Sequence, residues 1–328
     1  MDLAWHLARR LADGCFHSGE SLAAEFCVTR ATVWNALQTM RDRGLEIHAV
    51  RGKGYRLPAP LDWLDADRIA TGLPPALRDR VAVQVLPEAD STNNCLLAAP
   101  PPAPGRAVVC LVEYQSGGRG RRGRRWLSPP GAGIYLSLAW QFDRPPTNLS
   151  ALSIVAGLAI REALLGLGAR GLMIKWPNDL VVDGGKLGGL LVELRAEGNG
   201  PCHAVIGVGI NYRLPAGLAE EIERTGGIVP VDLATVCEEE PPDRNNAAAA
   251  MVAHMMARLD RLMVEDVVRL CADWKEADAL GGRMVIVEIG ERRVSGCAAG
   301  IESDGALRLE RSGEMLRVTA GDVKVRPG

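Results

Sequence analysis

Apolar positions change their period twice along the chain, which divides it into three parts. In the first sixty or so residues the spacing is helical. Leu3, Leu7, Ala8 and Leu11 mark one short helix; Ser18 can cap a second over Glu20 to Phe26, and Thr29 a third that runs to Asp42 and stops at Gly44. Two strand-like runs follow, Leu45 to Val50 and Tyr55 to Leu57, around the basic turn Arg51-Gly52-Lys53-Gly54. From Leu61 to Asp278 strand-like runs (81–86, 107–112, 134–140, 172–176, 190–194 and 204–210) mix with helical ones (94–98, 150–167 and 247–262). Beyond residue 279 four alternating runs, 284–289, 292–301, 306–310 and 315–318, are separated by glycine turns, the pattern of a small β-barrel. The expected fold class is α+β: a winged helix-turn-helix over 1–60, a mixed α/β domain over 61–278 and a small barrel over 279–328.

Pro58-Ala59-Pro60 reads as the linker that closes the first unit. Within that unit the region from Gly19 to Gln38 is the helix-turn-helix. Val33, Leu37 and Met40 fall at core spacing, which turns Arg30, Thr32, Asn35 and Gln38 outward, the residue types that read base edges and hold phosphates. Arg51 and Lys53 supply charge to the wing. A unit of this shape can also serve as a protein contact only.

Composition narrows the classes. At 328 residues, 47% hydrophobic and 24% charged, the chain suits a soluble protein of two or three domains, and a net charge of −2 excludes one that coats nucleic acid along its length. Eight scattered cysteines without a C-x-x-C pair point to reduced, packed thiols, and five scattered histidines give no H-E-x-x-H. With no apolar run near the ~20 residues that span a bilayer and no signal-like start, the expected location is the cytoplasm.

The densest chemistry lies in Gly117 to Trp126, where five arginines and no acid occupy a glycine-rich loop closed by a tryptophan. Glycines let backbone N–H groups approach an anion, arginines supply forked donors, and an indole can stack on a nucleobase. Gly118, Gly120 and Gly123 satisfy the dinucleotide spacing formally, yet Trp126-Leu127-Ser128-Pro129-Pro130 cannot start the helix that mechanism requires. A solvated basic turn remains the plain alternative. Lys175-Trp176-Pro177-Asn178-Asp179 and Gly184-Gly185-Lys186-Leu187-Gly188-Gly189 bring two lysines, an amide and a carboxylate to one sheet edge, although an ordinary ion pair would also account for Lys175 and Asp179. Gly207-Val208-Gly209-Ile210-Asn211 lets a ligand lie against backbone. Ser91-Thr92-Asn93 by itself is compatible with a mere helix cap.

Taken in order, Ser91-Thr92-Asn93, Gln115 with Gly118 to Trp126, Lys175 to Asp179, Lys186 to Gly189 and Gly207 to Asn211 resemble the motif set of biotin protein ligases. Phe16 to Glu20 and Gly52 to Tyr55 further resemble the bifunctional members that repress the biotin operon. The resemblance implies that biotin's carboxylate attacks the α-phosphate of ATP, with Mg2+, and that a lysine of a biotin carboxyl carrier protein then displaces AMP. It assigns Ser91, Thr92, Asn93, Gln115, Arg119, Gly120, Arg121, Lys186, Gly207 and Gly209 to biotin, with Lys186, Arg119 and Arg121 also neutralising charge in catalysis. Arg121, Arg124, Trp126, Lys175, Asn178 and Asn211 fall to the nucleotide, and Asp179 to Mg2+. It also implies an adenylate-bound homodimer on operator DNA. A ligand-sensing regulator without turnover and a lipoate ligase are the competing readings.

Overall fold

The computed structural model describes residues 2–143, 149–196, 200–224, 228–262 and 272–325. Cys271 lies outside them, and the other seven cysteines are free thiols.

Helices α1 (Leu3–Arg10), α2 (Gly19–Glu25) and α3 (Arg30–Asp42) form where the apolar spacing predicts them. Both expected caps are made: the Ser21 amide donates to Ser18 Oγ at 3.0 Å, and the Thr32 amide to Thr29 Oγ1 at 3.1 Å. The wing is shorter than its apolar pattern suggested. Strands β1 (His48–Val50) and β2 (Gly54–Arg56) pair antiparallel, and Tyr55 also bridges His17. Leu45 and Ile47, read as strand from their alternation, are instead buried residues leading into the wing, where they complete a core with Leu7, Leu22, Val33 and Leu37. Gly54, at φ +106°, lies so close to the His17 carbonyl that a Cβ would sit 2.0 Å from its oxygen, so only glycine fits.

Helices α4 (Ala66–Gly72) and α5 (Pro75–Arg78) lead into the central sheet. Its strands are β3 (Val81–Ala89), β4 (Ala107–Gln115), β5 (Gly133–Phe142), β6 (Met173–Lys175), β7 (Asp179–Val182), β8 (Gly185–Ala196) and β9 (Cys202–Asn211). The order across the sheet is β3-β4-β5-β9-β8-β7-β6, with only β3 and β4 parallel. Alternation along each strand sends one set of side chains to either face. Val109, Leu111, Ile134, Leu136, Ile206 and Val208 belong to the main core with α7 (Leu149–Gly166) and α10 (Arg244–Leu262). Cys110, Val112, Tyr135, Ala139 and Val205 face the opposite side, against α6 (Thr92–Ala98). That second face carries the functional residues.

Strand β7 corresponds to residues expected to form a turn, and β8 starts five residues ahead of the expected Leu190. Glycines in Gly184 to Gly189 hid both from a pattern reading. Gly188 is nonetheless ladder-paired with Ile210, and a Cβ there would lie 2.5 Å from the Gly209 carbonyl oxygen. Two short helices, α8 (Ala216–Arg224) and α9 (Leu233–Val236), follow β9, and α11 (Trp274–Ala277) precedes the C-terminal unit. That unit comprises β10 (Met284–Ile289), β11 (Arg292–Ile301), β12 (Leu307–Arg311), β13 (Glu314–Val318) and β14 (Asp322–Val325), in antiparallel order β13-β12-β11-β10-β14.

Both outer units are seated on the central one. Trp5 packs edge-on to Trp63 with ring centroids 5.9 Å apart, and Arg43 pairs with Glu88 at 2.7 Å. At the other end the Trp176 indole N–H donates to the Gly305 carbonyl at 2.8 Å.

Candidate functional site

Strand ends β4, β8 and β9, helix α6 and the loop 116–128 build one site on the α6 face of the sheet. The loop is a small hairpin: Trp126 N donates to Gly118 O at 2.8 Å and Gly120 N to Arg124 O at 2.7 Å, while Arg119 bridges Arg125. At its tip Arg121–Gly123 make a single 3-10 turn with Arg122 at φ +56°, so no helix starts there and the dinucleotide mechanism is absent.

Trp126 lies flat on Gly209, where a Cβ would come within 2.7 Å of the indole. Lys186 Nζ stands 5.5 Å from the ring centroid, within cation–π range. The Lys186 ammonium also pairs with Asp179 Oδ1 at 2.6 Å, both side chains being largely covered. Lys175 is half-buried nearby, and burial pulls its pKa below the ordinary lysine value against the opposing pull of Asp179. The Arg121 guanidinium is likewise lowered by burial; it reaches Asn178 Oδ1 at 3.3 Å and the Gly321 carbonyl at 3.4 Å. Lys186, Lys175 and Arg121 thus form a partly dehydrated cationic cluster beside an aromatic face, where electrostatic attraction for an anion exceeds that in bulk water.

Ser91, Thr92 and Asn93 are all buried at the start of α6. Ser91 occupies the N-cap position but makes no capping bond through its side chain, so the triplet is not there to cap the helix. The Thr92 amide donates to Gln115 Oε1 at 3.0 Å, and Gln115 Nε2 donates to Ser128 Oγ at 3.0 Å.

Several of the expected site residues make protein contacts once side chains are placed. Gly207 and Gly209 are covered by protein: the Asn93 amide fills the face of Gly207, where a Cβ would meet its Oδ1 at 2.3 Å, and Trp126 fills that of Gly209. Their small size seats neighbouring side chains. Asn211 Nδ2 donates to the carbonyls of Lys186 (3.1 Å) and Val231 (3.0 Å), which makes it a brace for the Lys186 strand. Asn178 Nδ2 similarly donates to Leu190 O at 2.8 Å. Arg119 and Arg124 spend their charge on carboxylates, Arg119 on Glu193 at 3.1 Å and the exposed Arg124 on Asp322 at 2.5 Å. Arg122 reaches the same Asp322 at 3.1 Å and Glu288 O at 3.1 Å, so the C-terminal unit anchors the loop tip. Sequence reasoning missed Glu193, Ser137, Ser128 and Asp322.

The second candidate surface is the outer face of α3 with the wing. Arg30, Thr32 and Asn35 are exposed, whereas Gln38 accepts from Arg41 Nη1 at 3.2 Å. Thr32 Oγ1 is within 2.9 Å of Thr29 Oγ1, and Arg30 lies 3.5 Å from Glu20. Ser18, Gly19, Arg30, Val50, Arg51 and Tyr55 line a groove between the helix-turn-helix and the wing, in a different unit from the lysine cluster.

Comparison with known proteins meets this geometry at each unit. The description "Biotin/lipoate A/B protein ligase family" matches residues 87–211, "HTH domain" residues 7–56, and "Biotin protein ligase C terminal domain" residues 280–326. The bifunctional ligase/repressor of Salmonella typhimurium is 39% identical over 316 residues, 96% of this chain and 95% of that protein. The chain belongs to the bifunctional biotin protein ligase family. The Escherichia coli member of this family is 37% identical with the same coverage, and the biotin–[acetyl-CoA-carboxylase] ligase of Mycobacterium tuberculosis is 33% identical over 74% of this chain and 88% of its own. The Aquifex aeolicus biotin protein ligase solved with biotin and ATP shares the fold, with a TM-score of 0.62 at 23% identity over 75% of this chain and 99% of that one. As a ligase of this family, the chain should lose hold of its activated intermediate when Arg121 becomes glycine. Release of adenylate, followed by labelling of bystander lysines, is expected to quicken about tenfold or more, read as the decay of enzyme-bound label.

Proposed function

We propose that the chain condenses biotin with ATP to biotinyl-5'-AMP, transfers the biotinyl group to a lysine of a biotin carboxyl carrier protein, and represses the biotin operon as an adenylate-bound dimer. In the first step a carboxylate oxygen attacks the α-phosphorus and pyrophosphate leaves. In the second the acceptor amine attacks the acyl carbon, AMP leaves, and an amide remains. Two anions must approach: at ~4 Å and an effective dielectric of about 20, each unit of like-charge repulsion is worth about 4 kcal/mol. The observation that carries the reading is the Lys186 ammonium, poised between the Trp126 ring and Asp179 and flanked by Lys175 and Arg121.

In this reading Ser91, Thr92 and Gln115 take the ureido ring, Trp126 the adenine and Lys186 the carboxylate and α-phosphate. Mg2+ suits this site as an ion carried chiefly by phosphate oxygens, since such ions need only one or two protein carboxylates, and Asp179 and Asp322 both lie by the cluster. Among the described residues no group of three potential metal ligands occurs. No helix of the described residues is long and apolar enough to cross a membrane, in keeping with action in the cytoplasm.

Incubation with biotin, ATP and Mg2+ followed by mass analysis tests the ligase. Retained biotinyl-adenylate and released pyrophosphate are expected. Retention of biotin without pyrophosphate would replace the enzyme with a ligand-sensing regulator, and preference for lipoate would replace the substrate. Removal of residues 1–60 is expected to abolish sequence-specific DNA binding in a mobility-shift assay, and persistence of that binding would remove the winged helix from the proposal.

A further inference from the structure

The arginine loop and the Ser91-Thr92-Asn93 turn are joined at two places, so the hydrogen bonds between them form a closed ring. On one side the Arg119 guanidinium donates to Glu193 Oε1 and Oε2, at 3.1 and 3.2 Å, and to Asn94 Oδ1 at 2.6 Å. Glu193 Oε2 also accepts from Asn93 Nδ2 at 2.6 Å. From there Ser137 Oγ stands 2.6 Å from Asn93 Oδ1 and 2.7 Å from Thr92 Oγ1. The Thr92 amide meets Gln115, Gln115 meets Ser128, and Ser128 Oγ donates to the Trp126 carbonyl at 3.2 Å. The Trp126–Gly118 backbone bond then returns the path to the residue beside Arg119.

Glu193 is the only carboxylate in this ring. Strand alternation places it on the α6 face, since Leu190, Val192 and Leu194 belong to the opposite core. Its side chain is about 29% exposed, so the three bonds it accepts are only partly screened. Ser137, fully buried, sits on the same face at the centre of β5.

We infer that Glu193 and Ser137 are positioning residues that couple the biotin turn to the arginine loop: Glu193 fixes Arg119 and Asn93 as one unit, and Ser137 passes that constraint to Thr92. The inference rests on the ligase reading of the site. Arg119 accordingly acts as a tether for the loop, its charge held by Glu193, and the cations left to face the reacting anions are Lys186, Lys175 and Arg121. Loss of the tether weakens biotin capture more than it slows the chemical step, because Lys186 is untouched.

The test uses the full chain with Glu193→Gln, Ser137→Ala, Arg119→Ala and the Glu193→Gln/Arg119→Ala pair. Calorimetric titration with biotin alone reads the ring without turnover, and pyrophosphate release reads the reaction. Glu193→Gln and Ser137→Ala are each expected to weaken biotin binding and raise its KM by about tenfold, with kcat within about threefold of the parent. The double variant is expected to match the weaker of its two single variants, as residues acting through one bond do. Biotin affinity unchanged in both single variants, or losses that multiply in the double variant, would overturn the coupling. Should the parent bind biotin yet release no pyrophosphate, the ligase reading fails, and the titrations still decide whether the ring holds the biotin turn.

Discussion

Replacing Lys186 with alanine is expected to lower the rate of adenylate formation by about 10²- to 10³-fold, the usual cost of removing one preorganised charge from a developing anionic transition state. The ammonium is held by Asp179 at 2.6 Å and lies 5.5 Å from the Trp126 ring, so it needs little reorganisation to meet an anion. Its removal leaves Asp179 facing Lys175 and Arg121, which keeps the site from carrying an uncompensated negative charge. The melting temperature should therefore move little while single-turnover pyrophosphate release collapses. A variant that forms adenylate at the parental rate would remove charge neutralisation by Lys186 from the mechanism.

The largest stability effect is expected at Arg244, the buried first residue of α10. Its guanidinium meets Glu113 at 2.8 Å, with side-chain exposures of 1% and 2%, and donates further to the carbonyls of Gly133 and Asp62. Glu113 in turn accepts from the Leu64 amide at 2.6 Å. Arg244→Met leaves that carboxylate buried without its cation, which costs about 3–5 kcal/mol, measurable by denaturant unfolding. Adding Glu113→Leu should recover part of the loss, since an apolar pair tolerates burial, though the Leu64 amide stays unpaired. Equal stability of Arg244→Met and the parent would mean that the pair contributes nothing to the fold. Because Gly133 pairs with Asn211 and Glu113 lies two residues before Gln115, the same bond helps aim the strand ends that carry the site.

Much of the architecture was legible because it depends on local chemistry. Ser18 and Thr29 cap helices wherever a free amide lies three residues on, and the run of three turns and alternating strands after residue 279 needs no distant partner to be recognised. The motif residues were legible as a set for a related reason: lysines between glycines and arginines in a glycine loop are expensive to keep for packing alone. What escaped was pairing across the sheet. Glu193 within Leu190 to Leu194 and Glu113 after Val109 to Val112 each carried a usable signal, a single acid in an otherwise apolar strand, which must find a cation or a donor when buried. The identity of that donor was hidden, since Arg119 and Arg244 lie far away in sequence.

The amino-acid order alone determined the three units, the faces of their helices and strands, and the inventory of charged and aromatic groups available to bind an acid and a nucleotide. Only the folded chain decided which of those groups stand together and which brace one another: Lys186 lies beside Trp126 with Lys175 and Arg121 around Asp179, while Arg119, Arg124, Asn211, Gly207 and Gly209 make protein contacts. The reason is range. Period and capping act over a turn of helix or a pair of strand residues, whereas an ion pair is settled by whichever opposite charge the sheet order brings within a few ångströms.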